Sequence, residues 1–320
     1  NPDYAATVPA LAFMVFQMMF AVITPALITG AFAERKRFKA FVVFTLLWAT
    51  LVYDPVAHWV WGTGGWLRTL GTLDFAGGTV VHITSGVSAL VAALVLGRRR
   101  GYGTEPIEPH DATMVVLGAS LLWFGWFGFN AGSALSSGGL AANAFVVTNT
   151  AAAMAALTWM TVSWLHKGAP SVLGAAAGAV AGLVAITPAS GFVDVSASIL
   201  IGLGAGVFCY VGIQFAKRLK IDDALDVFGV HGIGGAWGAL ATGIFATVAV
   251  NSAGADGAAY GNFAQLGTQA IAVLASVTYS AVMTFVILKV INVFVELRVP
   301  ETDEVMGLDA SQHRETAYQI

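Results

Sequence analysis

Residues 74–86, DFAGGTVVHITSG, decide how this chain folds, because they place an ionisable ring, His82, in a segment that is otherwise apolar or small from residue 75 to residue 97. Residues 226–235, DVFGVHGIGG, do the same with His231. In both segments an aspartate precedes the histidine and glycines surround it. An ionisable side chain at membrane depth is costly and marks a functional site by default. We therefore expect the rest of the chain to form a scaffold around these two rings.

The composition is that of an integral membrane protein. Of the 320 residues, 57% are hydrophobic and 10% are charged, whereas soluble domains average about 25% charged residues. The 37 glycines suit a helical bundle, because small residues let helices approach closely in lipid. The net charge of −3 excludes a basic face for nucleic acid. The single cysteine, Cys209, excludes an internal disulfide and a CxxC metal or redox motif.

The hydropathy pattern predicts an all-α membrane protein with nine spans. A helix that crosses the hydrocarbon core needs about 20 mainly apolar residues, and long apolar runs favour helices over a β-barrel. The predicted spans cover approximately residues 8–33, 40–61, 78–97, 112–135, 141–166, 170–189, 194–219, 229–250 and 265–297. The last is longer than a bilayer requires, so we expect it to tilt or to extend beyond the membrane.

Lysine and arginine predict the orientation, because cytoplasmic loops are enriched in them. Of the 15 basic residues, all but Arg68 follow odd-numbered spans or lie late in the ninth. This alternation predicts an external N-terminus and a cytoplasmic C-terminus. It also divides the chain into a transmembrane domain, 1–298, and a cytoplasmic tail, 299–320. The polar composition of the tail favours a solvated, unpacked end over an ordered regulatory strip.

Short motifs carry a resemblance to a known family. Besides the two histidine segments, they are AHWVWGTGG (57–65), WFGWFGFNAGS (123–133) and FMVFQMMF (13–20). Together they resemble the ammonium transporter (Amt/Mep/Rh) family, and the Amt branch in particular, over nearly the whole chain. The tail, GLDASQHRETAYQI, also resembles the family's cytoplasmic tail, with Gly307, Asp309 and Tyr318 in the matching pattern.

The resemblance implies a homotrimer with one narrow pore through each subunit and a five-plus-five inverted repeat. The short similarity between the two histidine segments agrees with such a repeat, which is typical of transporters. Family members usually have eleven membrane helices, so this chain corresponds to helices three to eleven and lacks the first two. The third and eighth spans are then repeat partners.

The resemblance assigns an external recruitment site for ammonium to Trp61, Ser133 and Phe20, and a stacked phenyl gate to Phe20 and Phe129. An indole face attracts cations, a hydroxyl accepts from N–H, and apolar rings oppose hydrated ions. From the residues alone, Trp61 also fits an aromatic belt at the membrane interface. Both phenylalanines equally fit aromatic packing between helices.

The resemblance makes His82 and His231 a twin pair that lines the pore and relays a proton, because neutral imidazole has one donor and one acceptor nitrogen. A satisfied buried imidazole is the alternative for each ring. Asp74 is expected to be structural, since a carboxylate before a helix accepts from its first N–H groups. Asn130 is expected to hydrogen-bond across helices. Asp223 and Asp226 are expected to cap the next helix or to pair with Lys220.

The predicted function is a channel or transporter embedded in the lipid bilayer of the inner cell membrane, in which ammonium is deprotonated, ammonia passes through a hydrophobic pore and the histidine pair relays the proton. The alternatives are an ammonium sensor with an occluded pore and an Rh-like channel for ammonia or CO₂. No enzyme motif, metal cluster or cofactor loop is recognisable, so we expect no cofactor. In bacterial members of the family a PII-type signal protein binds the cytoplasmic face and tail, and we expect this partner here.

Overall fold

The chain folds into a bundle of helices, described by a computed structural model over residues 4–316; Tyr318 lies outside the described residues. Apart from two isolated bridges, this part of the chain contains no β-structure. The α-helices are α1 (Ala10–Ile28), α2 (Phe38–Trp48), α3 (Asp54–Trp61), α4 (Trp66–Leu70), α5 (Thr84–Leu96), α6 (Ala112–Gly132), α7 (Gly139–Lys167), α8 (Val172–Ile186), α9 (Val195–Arg218), α10 (Gly234–Phe245), α11 (Phe263–Phe294) and α12 (Glu301–Met306).

Four stretches of π-helix interrupt or extend these helices, at Ala49–Tyr53, Gly78–Ile83, Phe228–Ile233 and Asp309–His313. The second leads directly into α5 and contains His82, and the third leads directly into α10 and contains His231. The wider π turn is frequent at functional sites. The two segments predicted to be repeat partners therefore share an unusual backbone geometry.

Seven helices between residues 4 and 316 are long and apolar enough to cross a membrane, which differs in detail from the predicted nine spans. The predicted span 170–189 contains only the 15-residue α8, about 22 Å long. The span 229–250 corresponds to Phe228–Phe245, which is rich in glycine and is not among the seven. Both lie inside the bundle, where neighbouring helices rather than lipid cover them.

Two hydrophobic clusters hold the bundle together. One joins α1, α2, α3, α5 and α11 and contains the fully buried Phe44, Trp48 and Leu288. The other joins α6 to α10 and contains the fully buried Leu183 and Ile201. The segment Gly78–Leu96 is the most enclosed of the seven candidate spans, because 78% of the residues in its most apolar part are buried. The two histidine segments contact each other between the two clusters.

The two histidine segments cross at glycines. A Cβ atom on Gly86 would lie 2.1 Å from the backbone nitrogen of Gly232, and one on Gly235 would lie 2.9 Å from Cβ of His82. Gly86 follows His82 by four residues, and Gly235 follows His231 by four. Each glycine therefore packs against the histidine segment of the other helix, and this close approach brings the two rings together.

The beginning of the tail is ordered against the bundle, in contrast to the solvated end that its composition favours. The Val299 N–H donates to the carbonyl of Arg35 (3.0 Å), and Arg298 pairs with Glu304 of α12. Further along, the ring of His313 packs edge-on against Phe38, with 4.8 Å between centroids. Ion pairing and one aromatic contact thus hold a segment whose own sequence is polar.

Replacing Gly86 with alanine should destabilise the protein strongly. The added methyl would meet backbone atoms that cannot move aside, and overpacking costs about 3 kcal/mol or more in such a place. We expect a lower midpoint of thermal unfolding in detergent. Gly267→Ala on α11 is the matched control, because no other atom lies within 4 Å of its added Cβ. Equal midpoints for the two variants would contradict the close crossing.

Candidate functional site

Asp74 organises the backbone in front of His82. Its carboxylate accepts from the N–H groups of Gly77 (2.8 Å), Gly78 (2.7 Å) and Thr79 (2.8 Å), and also from the hydroxyl of Thr79. One buried carboxylate therefore satisfies several N–H groups at the beginning of a helix, which would otherwise have no partner. These bonds match the structural role predicted for Asp74.

A buried amide fixes the chain just before Asp74. The side chain of Gln269 accepts from the Leu73 N–H (2.8 Å) and donates to the Leu73 carbonyl (2.8 Å) and to the Ala239 carbonyl (3.0 Å). The next carbonyl, that of Asp74, accepts from the indole N–H of Trp61 (2.8 Å). Gln269 on α11 thus holds the strand-like segment that positions both Asp74 and Trp61.

The structure brings His82 and His231 together although 149 residues separate them. Their Nδ1 atoms lie 3.2 Å apart, and their ring centroids are 5.2 Å apart. His82 is fully buried, and 8% of His231 is exposed. Hydrogen-bonded imidazoles in such surroundings can hold and pass a proton, because each ring has two nitrogen atoms.

The other nitrogen of His82 also has a partner. Its Nε2 lies 3.3 Å from Oγ1 of Thr187, in the turn after α8. The same oxygen lies 2.9 Å from the indole nitrogen of Trp126 and 2.7 Å from the carbonyl oxygen of Leu183. Thr187 is fully buried. His82 is therefore held at both ring nitrogens, by His231 at one and by Thr187 at the other.

Aromatic rings form a continuous column that ends at His82. The ring of Phe20 lies 5.7 Å from that of Trp61 and 4.6 Å from that of Phe129, measured between centroids. Phe129 stacks on His82 at 5.9 Å, and Trp126 stacks on it at 5.4 Å. Trp61, Phe20 and Phe129 thus form a chain of ring contacts that leads to the histidine pair. Phe16 packs edge-on against Phe20 at 5.0 Å and widens the column on one side.

Ser133 lies at the end of α6, one turn beyond Phe129. Its hydroxyl donates to the carbonyl of Phe129 (2.8 Å), which leaves the oxygen lone pairs available to accept. Asn130 is fully buried and donates to Oγ1 of Thr148 on α7 (2.9 Å). That bond crosses between helices, as predicted. Asn130 therefore fixes the helix that carries Phe129 and Ser133.

Asp223, rather than Asp226, is the counterpart of Asp74. Both Asp74 and Asp223 precede their histidine by eight residues, and Asp223 accepts from the N–H of Phe228 (2.7 Å) at the start of the third π-helical stretch, Phe228–Ile233. Of the two roles expected for these aspartates, Asp223 has the capping role, and Asp226 is paired, with Lys217 at 3.2 Å rather than with Lys220.

Charged side chains from the loops that follow the first, third and seventh predicted spans lie close together at one end of the bundle. Asp222 accepts from both the backbone and the guanidinium of Arg99, and its carbonyl accepts from Arg35 (2.7 Å). Burial alone would raise the pKa of Asp222, but the hydrogen bonds from Arg99 hold it below its ordinary value. The ammonium of Lys36 lies against the rings of Phe32 and Phe44, and burial lowers its pKa well below the usual range.

Several residues of the site were not singled out in the sequence. Trp126 lies within WFGWFGFNAGS three residues before Phe129, so helical spacing places both on one face. The equal spacing from aspartate to histidine would have identified Asp223. Thr187 and Gln269 are distant in sequence from the residues that they hold, and no local pattern marks them. Only the packing of α8 and α11 against the histidine segments identifies them.

Comparison with known proteins agrees with this architecture. The chain matches the model of the Ammonium Transporter Family over residues 2–318. It is 55% identical to an ammonium transporter of Bacillus subtilis over 318 residues, which are 99% of this chain and 78% of that protein. The crystal structure of Saccharomyces cerevisiae Mep2 superposes with a TM-score of 0.88 at 39% identity, covering 93% of this chain and 68% of Mep2.

A structure described as a sensor Amt protein is also similar, with a TM-score of 0.86 at 33% identity, covering 94% of this chain and 76% of that one. Fold, site and relatives together define a multi-pass membrane protein of the transporter class rather than an enzyme. The chain belongs to the ammonium transporter family.

The acidity of Asp223 predicts a pH-dependent stability. Burial raises its pKa to about 6, although hydrogen bonds from the backbone N–H groups of Phe228 and Val227 oppose the shift. A carboxyl group whose pKa is raised by folding favours the folded state when protonated. Its ionisation therefore costs stability as the pH rises from about 4, the ordinary pKa, through about 6.

We expect Asp223→Asn to remove this cost, since the amide oxygen still accepts from Phe228. The variant should unfold at a higher temperature than the native protein at pH 7, and the difference should shrink towards pH 4. Thermal unfolding in detergent across this range measures it. Asp194→Asn, at the exposed N-terminus of α9, is the control. The same pH dependence in native protein and D223N would contradict the assignment.

Proposed function

We propose that this chain conducts ammonium as ammonia plus a separately relayed proton. The observation that carries the proposal is the His82–His231 hydrogen bond at the end of an unbroken aromatic column. The family to which the chain belongs supports ammonium as the substrate. The steps below follow from the chemistry of the residues along this line.

Recruitment is assigned to Trp61, whose ring contacts Phe20, and to Ser133, which lies one turn beyond Phe129. An ammonium ion over the indole face gains about 0.5–2 kcal/mol from cation–π attraction, and the free lone pairs of Ser133 accept one of its N–H groups. Gln269 and the Asp74 carbonyl hold the indole in place. The site replaces part of the hydration shell of the ion before it enters the bundle.

Phe20 and Phe129 form the gate. Their rings contact each other at an angle of 54°, and that of Phe129 stacks on His82, so an ion with its water shell cannot pass until they move. Beyond them the surroundings are apolar, and a bare cation there is strongly disfavoured. Ammonium can satisfy this constraint by losing one proton, which leaves neutral ammonia. Potassium and sodium ions have no proton to lose and are refused.

The histidine pair carries the proton that ammonia leaves behind. The proton moves through the hydrogen-bonded imidazoles and recombines with ammonia after the pore, so one positive charge crosses for each ammonium ion. Transport is therefore electrogenic. The positive-inside rule supports an orientation with the N-terminus of this chain outside and the tail in the cytoplasm. The membrane is the cell's inner membrane.

An ammonium sensor with an occluded pore is the second candidate. The structural similarity to a sensor Amt protein supports this second candidate. The two candidates differ in one observable property, because a sensor of this kind binds ammonium without a sustained current. The native protein in liposomes therefore decides between them before any variant is made.

Removing both imidazoles should abolish the relay. We expect native protein in liposomes to give an ammonium-driven current, and His82→Ala/His231→Ala to reduce it about 100-fold, the scale of positioned acid–base groups. His110→Ala, in an exposed loop, is the control and should behave like native protein. An unchanged current in the double variant, without potassium leakage, would remove the relay. No current in the native protein would favour the sensor.

The partners follow from the same reasoning. We propose a homotrimer, and a PII-type signal protein that binds the face formed by the basic loops and the ordered tail. The tail lies against this face through Arg298–Glu304 and Phe38–His313, so it presents a fixed surface.

The purified complex in detergent should have the mass of three subunits, and immobilised protein should retain a PII protein when nucleotide effectors are scarce. Glu304→Ala breaks the ion pair with Arg298 and should weaken that retention, whereas Asp194→Asn, at the exposed N-terminus of α9 on the predicted external side, should not. A monomeric mass, or no retention under any effector condition, would contradict these assignments.

A further inference from the structure

We propose that Thr187 is a positioning residue that fixes the proton of His82 on Nε2 and thereby makes Nε2 of His231 the free basic nitrogen of the pair. This inference rests on the proposed function for its consequence in transport. It rests on hydrogen-bond geometry alone for its structural content, so the two can fail separately.

The hydrogen bonds around Oγ1 of Thr187 determine the direction of each bond. A hydroxyl has one proton to donate and two lone pairs that accept. The indole N–H of Trp126 is only a donor, so it occupies one lone pair (2.9 Å). The carbonyl of Leu183 is only an acceptor, so it receives the hydroxyl proton (2.7 Å). One lone pair remains, and Nε2 of His82 lies 3.3 Å from the oxygen.

The distances decide where the hydroxyl proton goes. The hydroxyl has two possible acceptors, the Leu183 carbonyl at 2.7 Å and Nε2 of His82 at 3.3 Å. An O–H donor prefers about 2.7–2.8 Å, so the proton lies towards Leu183. His82 must then donate from Nε2 to complete the third contact of the oxygen. Since a neutral imidazole carries one proton, Nδ1 of His82 is left as an acceptor.

The assignment passes from one ring to the other. Nδ1 of His231 lies 3.2 Å from Nδ1 of His82, and two acceptors cannot share a hydrogen bond. His231 must therefore donate from Nδ1, which leaves its Nε2 unprotonated. Within residues 4–316 no side chain or backbone group hydrogen-bonds this nitrogen, and His231 is the ring that retains some exposure.

The pair is thereby polarised along the column. His82, which stacks on Phe129 and Trp126, has both nitrogens engaged and offers no lone pair to a proton. His231 is the proton-accepting end. Protonation at its Nε2 adds one proton and gives one imidazolium, which still donates from Nδ1 to His82. The hydrogen bond between the rings can run in either direction, with His82 or with His231 as the donor. Without Thr187, nothing in this hydrogen-bond network favours one direction over the other.

The test is ¹⁵N NMR of the histidine-labelled full chain in lipid nanodiscs, since protonated and unprotonated ring nitrogens have well-separated shifts. Single His→Gln variants assign the signals. We expect native His82 to be protonated at Nε2 and His231 at Nδ1. Thr187→Val, which keeps the shape and removes the hydroxyl, should move His82 towards protonation at Nδ1. Thr187→Ser restores the oxygen and should restore the native signals.

The ammonium current of the same variants gives the second readout. Removing a group that orients a functional histidine costs about 10-fold or more, so T187V should lose about that factor while T187S retains the native current. Native His82 protonated at Nδ1, or an unchanged tautomer in T187V, would overturn the inference. The native spectrum decides even if T187V fails to fold. Should the relay fail in the double histidine variant, the spectrum still tests the tautomers.

Discussion

The contact between two helix backbones at Gly86 and Gly232 is the constraint on which the site depends. Two imidazoles can share a hydrogen bond in the middle of a bundle only if their helices cross closely at that level. A side chain at Gly86 would occupy the backbone of the other segment. In lipid, where the hydrophobic effect does not drive helices together, such contacts come from small residues.

Close packing alone would leave the backbone groups around the histidines without partners. Each histidine lies within a π-helical stretch whose first N–H groups point towards an aspartate, Asp74 in one case and Asp223 in the other. The two carboxylates differ in how well their hydrogen-bonding capacity is satisfied, and therefore in the free energy that their burial costs. Asp74 receives bonds at both oxygens, whereas one oxygen of Asp223 is buried without a partner. An aspartate thus accepts from the start of both π-helical stretches, and the one with more hydrogen bonds, Asp74, is the one next to Trp61.

The amino-acid sequence predicts what depends on local pattern. Apolar runs identified most of the helices, and the resemblance carried by the motifs around Phe20, Phe129 and the two histidines assigned these residues to one site, where their rings contact each other in turn. The predicted spans at α8 and Phe228–Phe245 do not correspond to helices long and apolar enough to cross a membrane on their own. Helices that are buried among other helices need neither the length of the hydrocarbon core nor an apolar surface that faces lipid. Thr187 and Gln269 were not predictable. Their roles arise from contacts between segments far apart in sequence, and a buried threonine or glutamine looks alike whether or not it holds a functional ring.

The aromatic column and the hydrogen-bonded pair place different requirements on the ring of His82. Stacking by Phe129 and Trp126 only requires that His82 be flat and correctly placed, and either tautomer satisfies it. Proton transfer requires that its hydrogens be in a defined order. Trp126 meets both requirements, because its face stacks on His82 while its N–H donates to the hydroxyl that His82 also contacts. The indole therefore couples the position of the ring to the order of its protons.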